Sequence, residues 1–174
     1  MANVFDLVQG AAHIVAESSR LKATTAGHIY DLEMIADTDN GTIVAVDNTL
    51  VANANGYNEG EQVYKAKAYA NGEKPYLVLT PPLAYNGKKG WSDEKYFYNA
   101  KGEVARAYEL HVDDIYTISE NAFPKGSTPA VGKYVDATYT VADTAGEGFV
   151  GQIMQRVDYT NSVSYRIRVI SLGV

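Results

Sequence analysis

The sequence predicts an all-β, mainly antiparallel fold: a compact β-barrel or β-sandwich with an N-terminal arm and little helix. Three observations carry this expectation. Asn40-Gly41, Asn55-Gly56, Asn71-Gly72 and Asn86-Gly87 each supply the positive φ angles that tight reversals demand. Apolar and polar residues alternate along several short runs with the period of two that a half-buried strand requires. No helical pattern of ordinary length separates those runs, which disfavours a parallel α/β design.

Residues 1–26 read as an arm, extended or partly ordered. Phe5, Val8 and Ala12 align roughly on a helical face within Phe5 to Glu17, but Gly10 weakens that pattern and Ser18, Ser19, Thr24 and Thr25 end it. Arms of this composition gain order on another surface, so a partner is one use for it. Residues 27–174 read as one β-rich domain, with two sub-sheets meeting near residues 84–94. Its first element puts Tyr30, Leu32 and Met34 on one face and Asp31 and Glu33 on the other. A turn at Asn40-Gly41 leads into TIVAV, which predicts a first hairpin.

Gln62 to Tyr69 is charged and tyrosine-bearing, and Tyr76 to Thr80 forms a short apolar strand that Pro81-Pro82 stops. Leu83 to Lys95 has the chemistry of a loop, with Trp91 its exposed aromatic. Asn99 to Ser119 reads as strand, break, strand: Val104 to Leu110 alternates, Asp113-Asp114 interrupts, and Ile115 to Ile118 resumes. A connection rich in Pro, Gly, Ser and Thr follows between Glu120 and Gly132, and alternation returns from Lys133 to Val141. The C-terminal hairpin has the strongest pattern. Phe149, Gly151, Ile153, Gln155 and Val157 share one face of its first strand, and Val163, Tyr165, Ile167 and Val169 share one face of its second.

Composition narrows the function. The formal charge of −6 gives no global field that would attract nucleic acid or an anionic membrane. The N-terminus lacks the cationic start and apolar core of a signal peptide, and no run approaches the roughly 18 apolar residues of a membrane span. The expectation is a protein made in the cytoplasm without export. The absence of cysteine removes disulfides, zinc thiolates and thiol nucleophiles together. Tyrosine supplies 14 of the 19 aromatic residues, which suits either the pleated surface of strands or large contact surfaces.

Tests for catalytic and metal chemistry fail on spacing. Asp37, Asp39, Asn40 and Gly41 open like a calcium loop, but position five is then Gly41 and position twelve Asn48, where that loop needs an oxygen ligand and a bidentate Glu. Glu109, His111, Asp113 and Asp114 cluster in sequence, yet adjacent Asp residues on a strand point to opposite faces and read as a turn. His13, His28 and His111 are too scattered for a spaced zinc motif. No nucleophile elbow, phosphate loop or dinucleotide glycine pattern is present, so the expectation is a non-enzymatic protein without metal or cofactor. Arg166 and Arg168 share a strand face, as a salt-bridged exterior or an anion-contacting patch.

The motifs GEVARAYEL, VDDIYTISENAF, PAVGKYVDATYTV, GFVGQIMQRVDY and YRIRVISL across residues 99–172, with the MANVFD opening and the DNG turn, resemble virion structural proteins of tailed phages. These are head decoration, or capsid cement, proteins. Asp113 stands where the pattern of that group has glycine. The resemblance implies no catalysis and no cofactor. It implies binding to the outer surface of the major capsid protein lattice as a homo-oligomer, a trimer being favoured, and location on the virion. Candidate partner-binding residues are Val4, Phe5 and Leu7 in the arm, with Tyr57, Tyr85 and Trp91 in loops. Two other classes stay open: a carbohydrate-binding or adhesin-like module using exposed Tyr and Trp, and a small hydrolase.

Overall fold

The computed structural model describes residues 13–51, 62–82, 94–159 and 162–174. Five strands close a barrel: β2 (Ile29–Glu33), β3 (Ile43–Leu50), β4 (Val63–Ala68), β5 (Tyr76–Val78) and β6 (Val104–Glu109), in the order β2-β4-β3-β5-β6. The other six form an open sheet: β1 (Ala16–Arg20), β7 (Ile115–Ser119), β8 (Tyr134–Val135), β9 (Val141–Ala142), β10 (Phe149–Tyr159) and β11 (Ser162–Leu172). Their order is β1-β7-β11-β10-β8-β9, antiparallel throughout. The fold is thus all-β and mainly antiparallel, and it contains a barrel. Helix is confined to α1 (Ala23–Ala26) and two single turns at Glu94–Tyr96 and Glu120–Ala122 among the described residues.

Two apolar cores share the wall between barrel and sheet. Leu32, Met34, Val44, Val78, Ala105 and Ala107 fill the barrel. Alanine suits this interior, since a barrel of few strands is too narrow for a large side chain from every strand. Neighbouring residues on the same strands point the other way, as the period of two requires. Ile43, Leu77, Leu79 and Leu110 pack on Tyr116, Ile118, Ile153, Ile167 and Val169 of the sheet. The start of β3 and all of β5 are therefore buried on both faces, which explains why IVAV and YLVL read as continuous apolar runs. Tyr76, Tyr116, Tyr139 and Tyr165 are core residues, and burial pushes the Tyr116 and Tyr139 hydroxyls well above the ordinary phenol range.

Three expected local arrangements are corrected. First, β2 and β3 are not a hairpin. β2 pairs in parallel with β4 and antiparallel with β6, while β3 pairs with β4 and β5. The chain does turn at Asn40-Gly41, but Asn40 is spent on the barrel: its amide donates to the Thr80 carbonyl at 2.9 Å and its oxygen accepts from Thr80 N at 3.0 Å. Gly41 N in turn donates to Val78 O at 2.7 Å, so the turn docks on the end of β5 and the residues just after it.

Second, Lys133 to Val141 is not one strand. β8 and β9 are two-residue strands around a reversal in which the Asp136 carboxylate accepts from Thr138 N, Thr138 Oγ1 and Thr140 N, with Tyr139 at φ +60°. Third, the β10–β11 hairpin carries irregularities between Val150 and Gly151 and between Ile153 and Gln155. The second one inserts Met154, which moves Gln155 and Val157 opposite Arg166 and Ser164, away from the face that Phe149 and Ile153 share.

The segment read as an arm divides. Residues 13–26 are described: β1 pairs with β7, Val15 and Leu21 are buried, and α1 ends at Gly27 with φ +74°. Residues 1–12 lie outside the description.

Candidate functional site

A cleft of about 620 Å³ opens where the barrel meets the β8–β9 turn. Met34, Val44 and Ala66 come from the barrel core, and Ile43, Tyr139 and Phe149 from the core shared with the sheet. Ile35, 52% exposed, stands at its rim. The sequence dictates this arrangement locally: Met34 and Ile35 follow the end of β2, where alternation gives one residue to the barrel and the next to the surface. Two of the three charged residues of the lining are committed, and Glu147 is the third. Lys67 pairs with Glu73, holding that carboxyl below its usual range, and Asp136 holds its own turn. Thr38, Thr42, Tyr69, Thr138 and Tyr139 are the hydroxyl-bearing residues of the lining, and no histidine accompanies them among its described residues. The lining is mainly apolar.

The Asp113-Asp114 break is resolved into two different structural roles. Asp113 adopts φ +73°, a conformation that glycine takes freely and Asp tolerates better than most residues. Its carboxylate accepts from Arg168 Nε at 2.9 Å and pairs with Nη2, which holds its pKa below the ordinary carboxylate range. Arg168 is thus salt-bridged, and Arg166 donates to Gln155 at 3.1 Å. Asp114 is fully buried and accepts from Lys22 N at 2.9 Å and His111 N at 2.8 Å. It ties the strand β7 to the turn before α1.

A polar cluster that the spacing hides lies on β2 and β6. Glu109, the last residue of β6, is buried, and His28, Lys74 and His111 converge on its carboxylate. His28 joins because its carbonyl accepts from Glu109 N at 3.1 Å, which places residues 81 positions apart on adjacent backbone. No sequence spacing signals that proximity; only the pairing of β2 with β6 creates it. The same carboxylate, together with burial, which acts more strongly, raises the Tyr76 hydroxyl to about 12. His13 goes elsewhere, with its Nδ1 2.7 Å from Asp39 Oδ1 and its ring stacked on Tyr98.

Val4, Phe5, Leu7, Tyr57, Tyr85 and Trp91 lie outside the described residues, as do Asn55-Gly56 and Asn86-Gly87. The chain leaves and re-enters description at Val51 and Gln62, beside the β3–β4 pairing, and at Pro82 and Glu94, which together line a smaller cleft against β1. No helix among the described residues is long and apolar enough to cross a membrane. No family model matches the chain, and no curated protein or solved structure is found similar to it.

Proposed function

We propose that this chain is a non-enzymatic virion protein that binds the outer surface of the major capsid protein lattice of a tailed phage and reinforces the head, acting as a symmetric oligomer, a trimer. The reading rests on the resemblance carried by GEVARAYEL, VDDIYTISENAF, PAVGKYVDATYTV and the C-terminal pair. The observation that supports it best is the apolar cleft between barrel and sheet, with Ile35 exposed at its rim. An apolar cleft that size, with Lys67 and Asp136 of its lining already engaged, suits burial of an apolar segment from a capsid subunit. Many copies on one lattice add their modest affinities through multivalency.

Co-sedimentation with expanded empty capsids tests the reading, with light scattering to count the subunits. Wild type and Val131→Glu, an exposed change on the β7–β8 connection away from the cleft lining, should both bind capsids. Ile35→Glu should bind at least about tenfold more weakly, as expected for a charge at an apolar contact. Wild type that stays in the supernatant while being retained on a glycan array would replace this reading with the carbohydrate-binding one.

A further inference from the structure

We propose that His28, Glu109 and His111 form a binding site for a divalent transition-metal ion, Zn²⁺ in the first place. The site is independent of the cleft, whose lining includes none of the three. One potential ligand atom from each residue lies within 4.8 Å of the others. The edges of a zinc tetrahedron with bonds of about 2.0–2.1 Å measure roughly 3.3 Å. His28 Nδ1 stands 3.3 Å from Glu109 Oε2, and His111 Nε2 stands 3.5 Å from Glu109 Oε1. The two distances end on different oxygens of Glu109, so one of them is an edge of a monodentate site as it stands and the other closes when the carboxylate turns. The rings of His28 and His111 are tilted at 52° with centroids 5.8 Å apart, and with the ligand atoms within 4.8 Å of one another the third edge has to shorten by at most about 1.5 Å to reach the tetrahedral length.

The surroundings favour a metal over a simple ion pair. One carboxylate is fully offset by one cation, and Lys74 Nζ already stands 3.0 Å from Glu109 Oε1. Two further imidazoles on the same buried group exceed what charge balance asks for, whereas a divalent ion uses both of their lone pairs. The far side of His111 gives a second, separate indication. Its Nδ1 is buried without a hydrogen-bond partner and faces the fully buried Asp114 carboxylate, with Oδ2 at 3.8 Å. At 3.8 Å this is an ion-pair separation and not a hydrogen bond, but a carboxylate behind the ring is the usual companion of a metal-bound imidazole, and a slight approach would let Nδ1 donate to it and leave the opposite nitrogen to ligate. Asp114 is itself held by two backbone N–H groups, so His111 has a rigid backstop.

Lys74 would be the competitor. Its side chain is 61% exposed, so it can swing into solvent when an ion arrives. The fourth position would then open on the exposed side, where His28 is 46% exposed, and take water. Such an ion would clip β2 to the end of β6 and, through Asp114, to the start of β7.

Titration calorimetry of the full chain with ZnCl₂ in a non-chelating buffer tests this, alongside Co²⁺ absorption and thermal melting. Wild type should bind one equivalent, show the intense visible bands of low-coordinate Co²⁺, and melt at a higher temperature with Zn²⁺. His28→Ala and His111→Ala should each lose at least about tenfold in affinity, and Asp114→Asn, which positions His111, should lose about tenfold while keeping the stoichiometry. Lys74→Met should bind more tightly than wild type, because it removes the competing cation. His13→Ala should bind as wild type does. Melting without metal shows that each variant is folded. The assignment falls if neither wild type nor Lys74→Met shows a saturable equivalent, if binding survives both His28→Ala and His111→Ala, or if Mg²⁺ binds as tightly as Zn²⁺.

Discussion

Replacing Gly41 by Ala probes the seam between barrel and sheet. An added Cβ would stand 2.7 Å from Ile118 Cδ1 and 3.0 Å from Ala16 Cβ, and the residue sits at φ +87°. The backbone conformation alone costs an L-residue about 1–2 kcal/mol. Overpacking adds about 1–3 kcal/mol, so the sum is about 2–5 kcal/mol. Gly72→Ala separates the two contributions. It has φ +90° with nothing within 4 Å of the added Cβ, and should cost only the backbone part. Urea unfolding supplies the assay, read as a shift of midpoint at unchanged slope. Ile118→Val then removes the methyl that clashes. Alone it should cost about 0.5–1.5 kcal/mol, but combined with Gly41→Ala it should leave the protein no less stable than Gly41→Ala by itself. Gly41→Ala no more costly than Gly72→Ala, or strictly additive double-mutant energies, would refute a steric seam at this position.

Asp114→Ala strands the N–H groups of Lys22 and His111, and should cost about 2–4 kcal/mol in the same denaturation assay. For Asp113 the folded-state pKa is below the unfolded value because of Arg168, so its contribution is present above the ordinary carboxylate range and is lost as pH falls through the folded value. Arg168→Gln should therefore flatten the acid limb of the stability curve below about pH 4, measured by urea midpoints across pH. Tyr76, Tyr116 and Tyr139 behave in the opposite sense. Burial raises all three, so their contribution is intact below about pH 10 and is lost as pH rises beyond it. Tyrosinate absorbance should then appear for these groups only together with unfolding, and early stepwise ionisation of all the tyrosines would contradict their burial.

What could be read from the chain and what could not follows from the range of each interaction. Strand content and the β10–β11 pairing were legible because alternation and a short turn are local. So was the irregular backbone at Asp113, where a residue other than glycine occupies a reversal. The parallel pairing of β2 with β4 was not, because the turn at Asn40-Gly41 has the same local chemistry whether the flanking strands pair or part. Met154 as the inserted residue left no mark either, since a one-residue slip preserves composition and merely exchanges faces. The grouping of His28 with Glu109 and His111 depends wholly on β2 lying beside β6, a contact across most of the barrel's sequence. β1 escaped notice for a related reason: Ala16 to Arg20 has too few apolar residues to announce a strand, and its order comes from the β7 backbone beside it.

The position of β7 has a bearing on biosynthesis. Its two neighbours are β1 and β11, the first and last strands described, so the sheet cannot be completed on a nascent chain until β11 has left the ribosome. Until then the edge of β7 that pairs with β11 lacks its partner, and the apolar side of the barrel wall lacks the cover of the C-terminal hairpin. Pairings this distant in sequence make for slow folding. Newly made chains should therefore spend their most vulnerable period with the barrel strands synthesised and the C-terminal hairpin still absent. A C-terminal truncation before Ser162 should accumulate in the insoluble fraction, even though every barrel strand is present in it.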